Sequence, residues 1–166
     1  FKGNPLYENF YHGIQNYAPK SIYPLLNMMQ GVVDAGTGRI IRQMGFKHPA
    51  GGKTGTTNNF KDSWFNGFTK NFSTSVWVGY DNNESMVDRS MHGLTGASAA
   101  APIWTLYMEK ALQGKNQINF PIPEGIKFEK VDVHTGTLAD NQSMETMNVA
   151  VKEETVNRQG GLGRRG

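Results

Sequence analysis

The sequence predicts an α+β fold, an antiparallel sheet with helices packed against it. Three observations carry that expectation. Between Asp62 and Tyr80 bulky apolar residues alternate with small or polar ones in two runs parted by Lys70-Asn71, the pattern of strand, tight turn and strand. Ahead of them, from about Ser21 to Ala35, Leu25, Met28, Met29, Val32 and Val33 recur at helical spacing. Behind them, Gly96 to Leu112 is a second run of helix length, closed by Gly114. Strands joined by short turns form an antiparallel meander.

In chain order, residues 1–18 are rich in Asn, Gly and aromatics without steady periodicity, and Tyr7, Phe10, Tyr11 and Tyr17 are expected to pack on the domain surface. In the first helix, Pro24 suits a first turn and Gly36 a C-terminal cap. Thr37-Gly38-Arg39 then begins a loop, with Arg39 pointing into water. A strand starts near Ala50. In the next, Asp62 to Thr69, Trp64, Asn66 and Phe68 share one face and Phe65 and Gly67 the other; Phe72 to Tyr80 follows. Asp81 to Thr95 is polar and loop-like. The second helix carries Ile103, Leu106, Tyr107 and Leu112 among its apolar positions, and Ala97 to Ala101 are small enough for close helix–sheet contact. Pro121 and Pro123 mark a linker, and a short strand is expected around Phe128 to Val133. The divisions that follow are 1–113 for the main unit, 114–140 for a trailing segment packed on it, and 141–166 for a polar, disordered tail, above all Gln159 to Gly166.

At 166 residues the chain suits one domain. Its net charge of +3 is small and owes part to Arg158, Arg164 and Arg165 in the tail. No basic stripe interleaved with aromatics appears, which argues against nucleic-acid binding. Cysteine is absent, excluding disulfides and thiolate metal sites. His12, His48, His92 and His134 each lack a second ligand at metal spacing, so they are read as structural or solvent-facing, and no cofactor is implied. No stretch approaches the roughly eighteen apolar residues of a membrane-spanning helix. There is no initiator methionine, and the opening Phe-Lys-Gly-Asn-Pro reads like the middle of something, so the chain is expected to be a piece of a longer protein.

The chemistry concentrates in Gly51-Gly52-Lys53-Thr54-Gly55-Thr56-Thr57. Glycines let another backbone approach, and hydroxyls and an ammonium give it something to bind. A phosphate-binding loop would need a glycine at position 47, where Lys47 stands, and a helix after the lysine, which Gly55-Thr56-Thr57-Asn58-Asn59 opposes. The other candidate is the Lys-Thr-Gly element of serine acyltransferases. Alone it is weak, because three common residues recur by chance.

Its neighbours make it specific. Leu26-Asn27-Met28-Met29-Gln30-Gly31-Val32-Val33, Gly36-Thr37-Gly38-Arg39, Gly52-Lys53-Thr54-Gly55-Thr56-Thr57, Asp62-Ser63-Trp64-Phe65-Asn66-Gly67-Phe68-Thr69, Val76-Trp77-Val78-Gly79-Tyr80-Asp81 and Ala100-Ala101-Pro102-Ile103-Trp104 follow in order. Together, from about residue 20 to 113, they resemble the transpeptidase domain of class A (bifunctional) penicillin-binding proteins. A further stretch, Pro123 to Ala139, is similar to what trails that domain.

The resemblance implies the penicillin-binding protein and serine β-lactamase type of α+β fold, represented by its C-terminal part, with the Lys53 strand outermost. It implies a serine-type D,D-transpeptidase that cross-links peptidoglycan stem peptides ending in D-Ala-D-Ala and is trapped by β-lactams. Lys53 would set the electrostatics of the pocket and hydrogen-bond a serine of a Ser-x-Asn motif. The Thr56 N–H would form half the oxyanion hole, the Thr54 and Thr56 hydroxyls would hold the terminal carboxylate, and Gly55 would leave room for the substrate backbone. The parent would sit on the outer face of the bacterial cytoplasmic membrane, anchored by a segment not in this chain. No serine here is followed three residues later by lysine or two later by asparagine. The nucleophile is therefore expected in an N-terminal half of the same domain, on which this chain docks and without which Phe65, Trp77 or their neighbours would be exposed. A carboxypeptidase or β-lactamase relative, a degenerate relative without catalysis, and a non-catalytic peptide-binding module are the alternatives.

Overall fold

The computed structural model describes residues 14–156. Tyr7, Phe10, Tyr11, His12 and the tail from Gln159 to Gly166 lie outside them. Three strands, β1 (Gly51–Thr56), β2 (Asp62–Phe68) and β3 (Ser73–Gly79), form the expected antiparallel meander in the order β1-β2-β3. Lys53 stands opposite Asn66, Thr54 opposite Phe65, Gly55 opposite Trp64, and Trp64 in turn opposite Trp77. The turn between β2 and β3 closes on a bond from the Thr69 N–H to the Phe72 carbonyl, 2.8 Å. β1 is an edge, and no further strand of the described residues pairs with it.

The alternation sorts β2 as its sequence suggests. Ser63, Phe65 and Gly67 are buried, while Trp64 and Asn66 are exposed. Phe65 packs edge-on against Trp104, with ring centres 5.2 Å apart, and Trp104 meets Phe46 at 5.4 Å. Val33, Ile41, Ala50, Ala100, Ala101, Met108 and Leu112 complete this core. At Gly67 a side chain has no room, since a Cβ there would lie 2.5 Å from Phe65 Cε1 and 2.7 Å from Trp104 Cε2. Trp64 and Trp77 stay exposed on the opposite face, whereas Phe65 is fully buried. Of the residues expected to lie open without the missing half, Phe65 is instead covered by helices of this chain, while Trp77 and its neighbour Trp64 are exposed.

Helix α1 spans Pro19–Asp34. Pro19 occupies the first turn and Pro24 lies inside, a correction to the sequence reading. Gly36 follows the cap residue Ala35 and donates its N–H to the Gly31 carbonyl at 2.9 Å. Leu25 and Met28 are exposed, and Tyr23 and Val33 are the buried positions. The periodicity misled because α1 packs on two sides. Val33 belongs to the main core, while Tyr23 meets Phe128 edge-on at 6.3 Å and the Asn27 Oδ1 accepts the Ala150 N–H at 2.9 Å, both in a second sheet. A short helix, α2 (Ile40–Gln43), stands where a loop was expected, with Ile41 fully buried; Arg39 is exposed, as expected.

The second helical run opens with a π-helical turn, Gly96–Ala100, and continues as α3 (Ala101–Ala111), with Gly114 following in the left-handed region at φ 73°. Its core face is Ala101, Trp104, Thr105, Met108 and Leu112, whereas Ile103, Leu106 and Tyr107 are exposed. Thr105 sits in the core because its hydroxyl donates to the Ala101 carbonyl at 2.8 Å, so a residue polar by type is satisfied when buried.

The second sheet pairs β4 (Ile126–Asp132) with β5 (Thr146–Lys152). β5 corrects the reading of 141–166 as a disordered tail over residues 146–152, and residues 157–166 lie outside the described ones. Ala150 and Val151 are buried while the rest of the strand is partly or fully exposed, and a strand with one wet face looks polar by composition. Tyr17 is 70% exposed instead of packed.

Candidate functional site

β1 is positioned by what lies beneath it. A Cβ on Gly52 would fall 2.6 Å from the Phe65 ring, so glycine there lets the strand settle onto the buried aromatic. From Lys53 onward the strand rises out of the core, and side chains alternate across the sheet. Lys53 is exposed, and its ammonium donates to the Thr54 carbonyl at 2.8 Å.

Thr54 and Thr56 point to the other face, and each hydroxyl has a partner from a different element. The Thr54 Oγ1 lies 2.8 Å from the Thr37 Oγ1. The Thr56 Oγ1 accepts the Gly96 N–H at 3.0 Å. Gly55 lies between them with its backbone against Gly96. A Cβ on Gly96 would collide with the Trp64 carbonyl oxygen and come within 2.8 Å of that of Gly55.

The Gly96 turn is held in place from below. Thr95 caps it, its hydroxyl accepting the Ser98 N–H at 3.2 Å while the Ser98 Oγ accepts the Thr95 N–H at 2.9 Å, the reciprocal pattern of a capping box. The fully buried Ser63 donates its hydroxyl to the Thr95 carbonyl at 2.8 Å and accepts the Ala100 N–H at 3.2 Å. The helix start is thus bolted to β2, with its positive dipole end beside Thr56, which favours an anion there.

Two hollows lie near the site, one at the end of β1 and one beside Thr37. One of about 580 Å³ lies past its end, lined by Thr56, Thr57, Asn58, Asn59, Lys61 and Asp62 among others. Its wall includes Asn59, left-handed at φ 60°; the next residue, Phe60, is also left-handed at φ 54°, a conformation uncommon outside glycine and rarer still for an aromatic. Asp62 is tied down by the Thr57 hydroxyl at 3.1 Å and the Trp77 Nε1–H at 2.9 Å. A second groove of about 750 Å³ runs beside Thr37, Arg39, Ile40, Ala97, Ser98 and Pro102.

Thr54, Gly55 and Thr56 therefore come together on an edge strand with one open side, while Lys53 projects from the opposite face of that strand. An extended peptide laid along such an edge would have the ammonium on one side and the paired hydroxyls on the other. That arrangement suits strand addition ending in an anionic group. The sequence reading missed Thr37, Ser63 and Gly96 as parts of this site. Thr37 was visible between two glycines, and Thr95-x-x-Ser98 has the spacing of a capping box, but neither spacing says which strand the turn meets.

No family model matches the chain. Curated relatives do. It is 40% identical to penicillin-binding protein 1A of Pseudomonas aeruginosa over 72% of this chain and 14% of that protein. It is 36% identical to penicillin-binding protein 1A of Haemophilus influenzae over 76% and 14%, respectively. The chain thus spans about a seventh of the length of these relatives. Among solved structures it superposes on penicillin-binding protein 1A from Haemophilus influenzae with a TM-score of 0.64 and 30% identity, covering 78% of this chain and 20% of that one. It also superposes on the penicillin-binding protein PonA1 from Mycobacterium tuberculosis in complex with penicillin V, with a TM-score of 0.52 and 28% identity over 60% and 27%.

Proposed function

We propose, from the premise that this chain belongs to the penicillin-binding protein family and corresponds to part of the transpeptidase region of its 1A members, that β1 is the substrate-binding edge of a serine D,D-transpeptidase. The observation that carries the proposal is the pair of hydroxyls, Thr54 and Thr56, held on one face of an edge strand. A stem peptide ending in D-Ala-D-Ala lies along the strand as an added strand, and its terminal carboxylate accepts from both hydroxyls. A β-lactam carboxylate takes the same place. Gly55, between them, leaves the substrate backbone room to lie flat.

The reaction is acyl transfer. A serine from the N-terminal half of the domain attacks the penultimate carbonyl, and the terminal D-alanine leaves. The acyl group passes to the amine of a second stem peptide. As the carbonyl oxygen becomes an oxyanion, the Thr56 N–H donates to it, and one such donor is worth roughly a hundredfold or more in rate. Lys53, whose ammonium here donates to the Thr54 carbonyl of its own strand, turns to a serine of that N-terminal half and supplies positive charge to the pocket. Among the described residues no helix is long and apolar enough to cross a membrane. The exposed Trp64 and Trp77, and Ile103, Leu106 and Tyr107 on α3, are surfaces that the rest of the domain covers.

The test is acylation of the full-length protein by a fluorescent penicillin. Lys53→Ala is expected to slow labelling by about a hundredfold or more at a nearly unchanged melting temperature. Equal labelling of the two proteins refutes the role of Lys53. No labelling of the wild type favours a non-catalytic peptide-binding module.

A further inference from the structure

We infer that Thr37 is a positioning residue for carboxylate recognition, the donor that commits the Thr54 hydroxyl to the substrate; this rests on the binding role proposed above for Thr54. A hydroxyl carries one proton and two lone pairs. The Thr37 and Thr54 oxygens are 2.8 Å apart, so one of the two donates to the other. A carboxylate only accepts. When it arrives, Thr54 spends its proton on the ligand, and the bond between the threonines persists only with Thr37 as the donor. The result is a directed chain from Thr37 O–H to Thr54 O–H to carboxylate, in which each bond polarises the next.

The loop is built to hold Thr37 there. The Gly36 N–H bonds to the Gly31 carbonyl at 2.9 Å and the Gly38 N–H to the Val32 carbonyl at 2.8 Å, clamping both flanks to the last turn of α1. The flanking residues are glycines because the backbone is pressed onto that turn. A Cβ on Gly36 would sit 2.9 Å from the Val32 Cα, and one on Gly38 would sit 3.1 Å from the Val32 oxygen and 3.4 Å from the Phe65 ring. Thr37 is the residue left free to project, and its hydroxyl meets a residue 17 positions away.

Thr56 has the same construction from the other side. The Gly96 N–H donates to its oxygen, which turns its proton outward as well. Each hydroxyl is thus backed by one donor from outside the strand, Thr37 for Thr54 and a helix-terminal N–H for Thr56. A lone hydroxyl would divide its proton between water and any nearby acceptor, whereas a backed one presents it in one direction.

The experiment measures second-order acylation of the full-length protein by benzylpenicillin and by its methyl ester, for wild type, Thr37→Val, Thr37→Ser, Thr54→Val and the Thr37→Val/Thr54→Val double variant. Thr37→Val is expected to slow benzylpenicillin by about two- to tenfold, the worth of one ordinary hydrogen bond, and to leave the ester nearly unaffected. Thr37→Ser is expected to restore the rate. In the Thr54→Val background, Thr37→Val is expected to add nothing, since the hydroxyl it directs is gone. Equal losses on acid and ester, or no loss on either, overturn the inference, the first making Thr37 merely structural. An undiminished effect of Thr37→Val without the Thr54 hydroxyl also overturns it, because Thr37 would then touch the ligand itself. If Thr54→Val costs nothing on benzylpenicillin, the binding role proposed for Thr54 has failed, and the inference falls with it.

Discussion

Gly96→Ala sets two effects of opposite sign against each other. In an unconstrained helix, exchanging glycine for alanine gains about 1 kcal/mol from backbone entropy. Here the new Cβ collides with the Trp64 carbonyl oxygen and falls within 2.8 Å of the Gly55 oxygen and 3.1 Å of the Gly55 nitrogen. These are backbone atoms of paired strands and cannot swing aside. Overpacking of this kind costs about 1–3 kcal/mol, and the helix start must retreat from β1, breaking the Gly96 N–H bond to Thr56 for roughly another 1 kcal/mol. The clash wins, for a net loss of about 1–3 kcal/mol. Gly31→Ala is the matched control, since it lies inside α1 with nothing within 4 Å of an added Cβ, and it is expected to gain up to about 1 kcal/mol. Thermal melts of the full-length protein and the two variants read the signs directly, at roughly 2–4 °C per kcal/mol for a domain of this size. A midpoint for Gly96→Ala at or above that of wild type would show that the helix start does not bear on the strand, and the reasoning about Thr56 would go with it.

Ser63→Ala removes the acceptor of a buried backbone N–H, that of Ala100, and is expected to cost about 1–3 kcal/mol; a urea midpoint unchanged at constant slope contradicts this. Thr56→Val keeps the backbone N–H and is expected to weaken acylation by carboxylate-bearing penicillins by about 1–2 kcal/mol while sparing their esters, with Thr56→Ser recovering the loss; equal losses on acid and ester make that hydroxyl structural. Asp132, whose carboxylate accepts the Thr135 and His134 N–H groups, has its pKa lowered mainly by the Thr135 backbone bond. A carboxylate with a depressed folded pKa contributes stability that is present above its unfolded pKa, ordinarily 3.8, and is lost as the pH falls through the folded value. The melting advantage of wild type over Asp132→Ala is therefore expected to shrink on acidification below about 4, and an advantage that stays constant to pH 2 rules out the carboxylate as its source.

The meander was legible because its alternation is strict. From Ser63 to Gly67 buried and exposed residues take turns, and a strand with one dry face cannot be written otherwise. Helices 19–34 and 96–111 were legible as helices, but not the faces they bury. α1 serves two sheets, so Tyr23 and Asn27 matter as much as Val33, and no single stripe describes it. On α3 the exposed Ile103, Leu106 and Tyr107 are more apolar than the buried Thr105, whose hydroxyl is satisfied within its own helix. β5 escaped because a half-exposed strand reads as polar by composition.

For the site, the Lys-Thr-Gly strand and its neighbouring blocks were visible as a pattern. Its supports were not. Thr37 lies 17 residues from Thr54, Gly96 lies 40 from Thr56, and Ser63 lies 32 from Thr95. Local spacing carries no information about such pairings, and only the folded sheet brings them together.

The acyl-enzyme itself gives the most direct measurement, a crystal structure of the full-length protein after reaction with benzylpenicillin. The expected result is an adduct lying along β1, its carboxylate within about 3 Å of the Thr54 and Thr56 hydroxyls and its ester carbonyl oxygen on the Thr56 N–H, at ordinary hydrogen-bond distances. An adduct whose carboxylate and carbonyl oxygen make their hydrogen bonds elsewhere, with the edge of β1 left open to water, would contradict the binding role given to this strand.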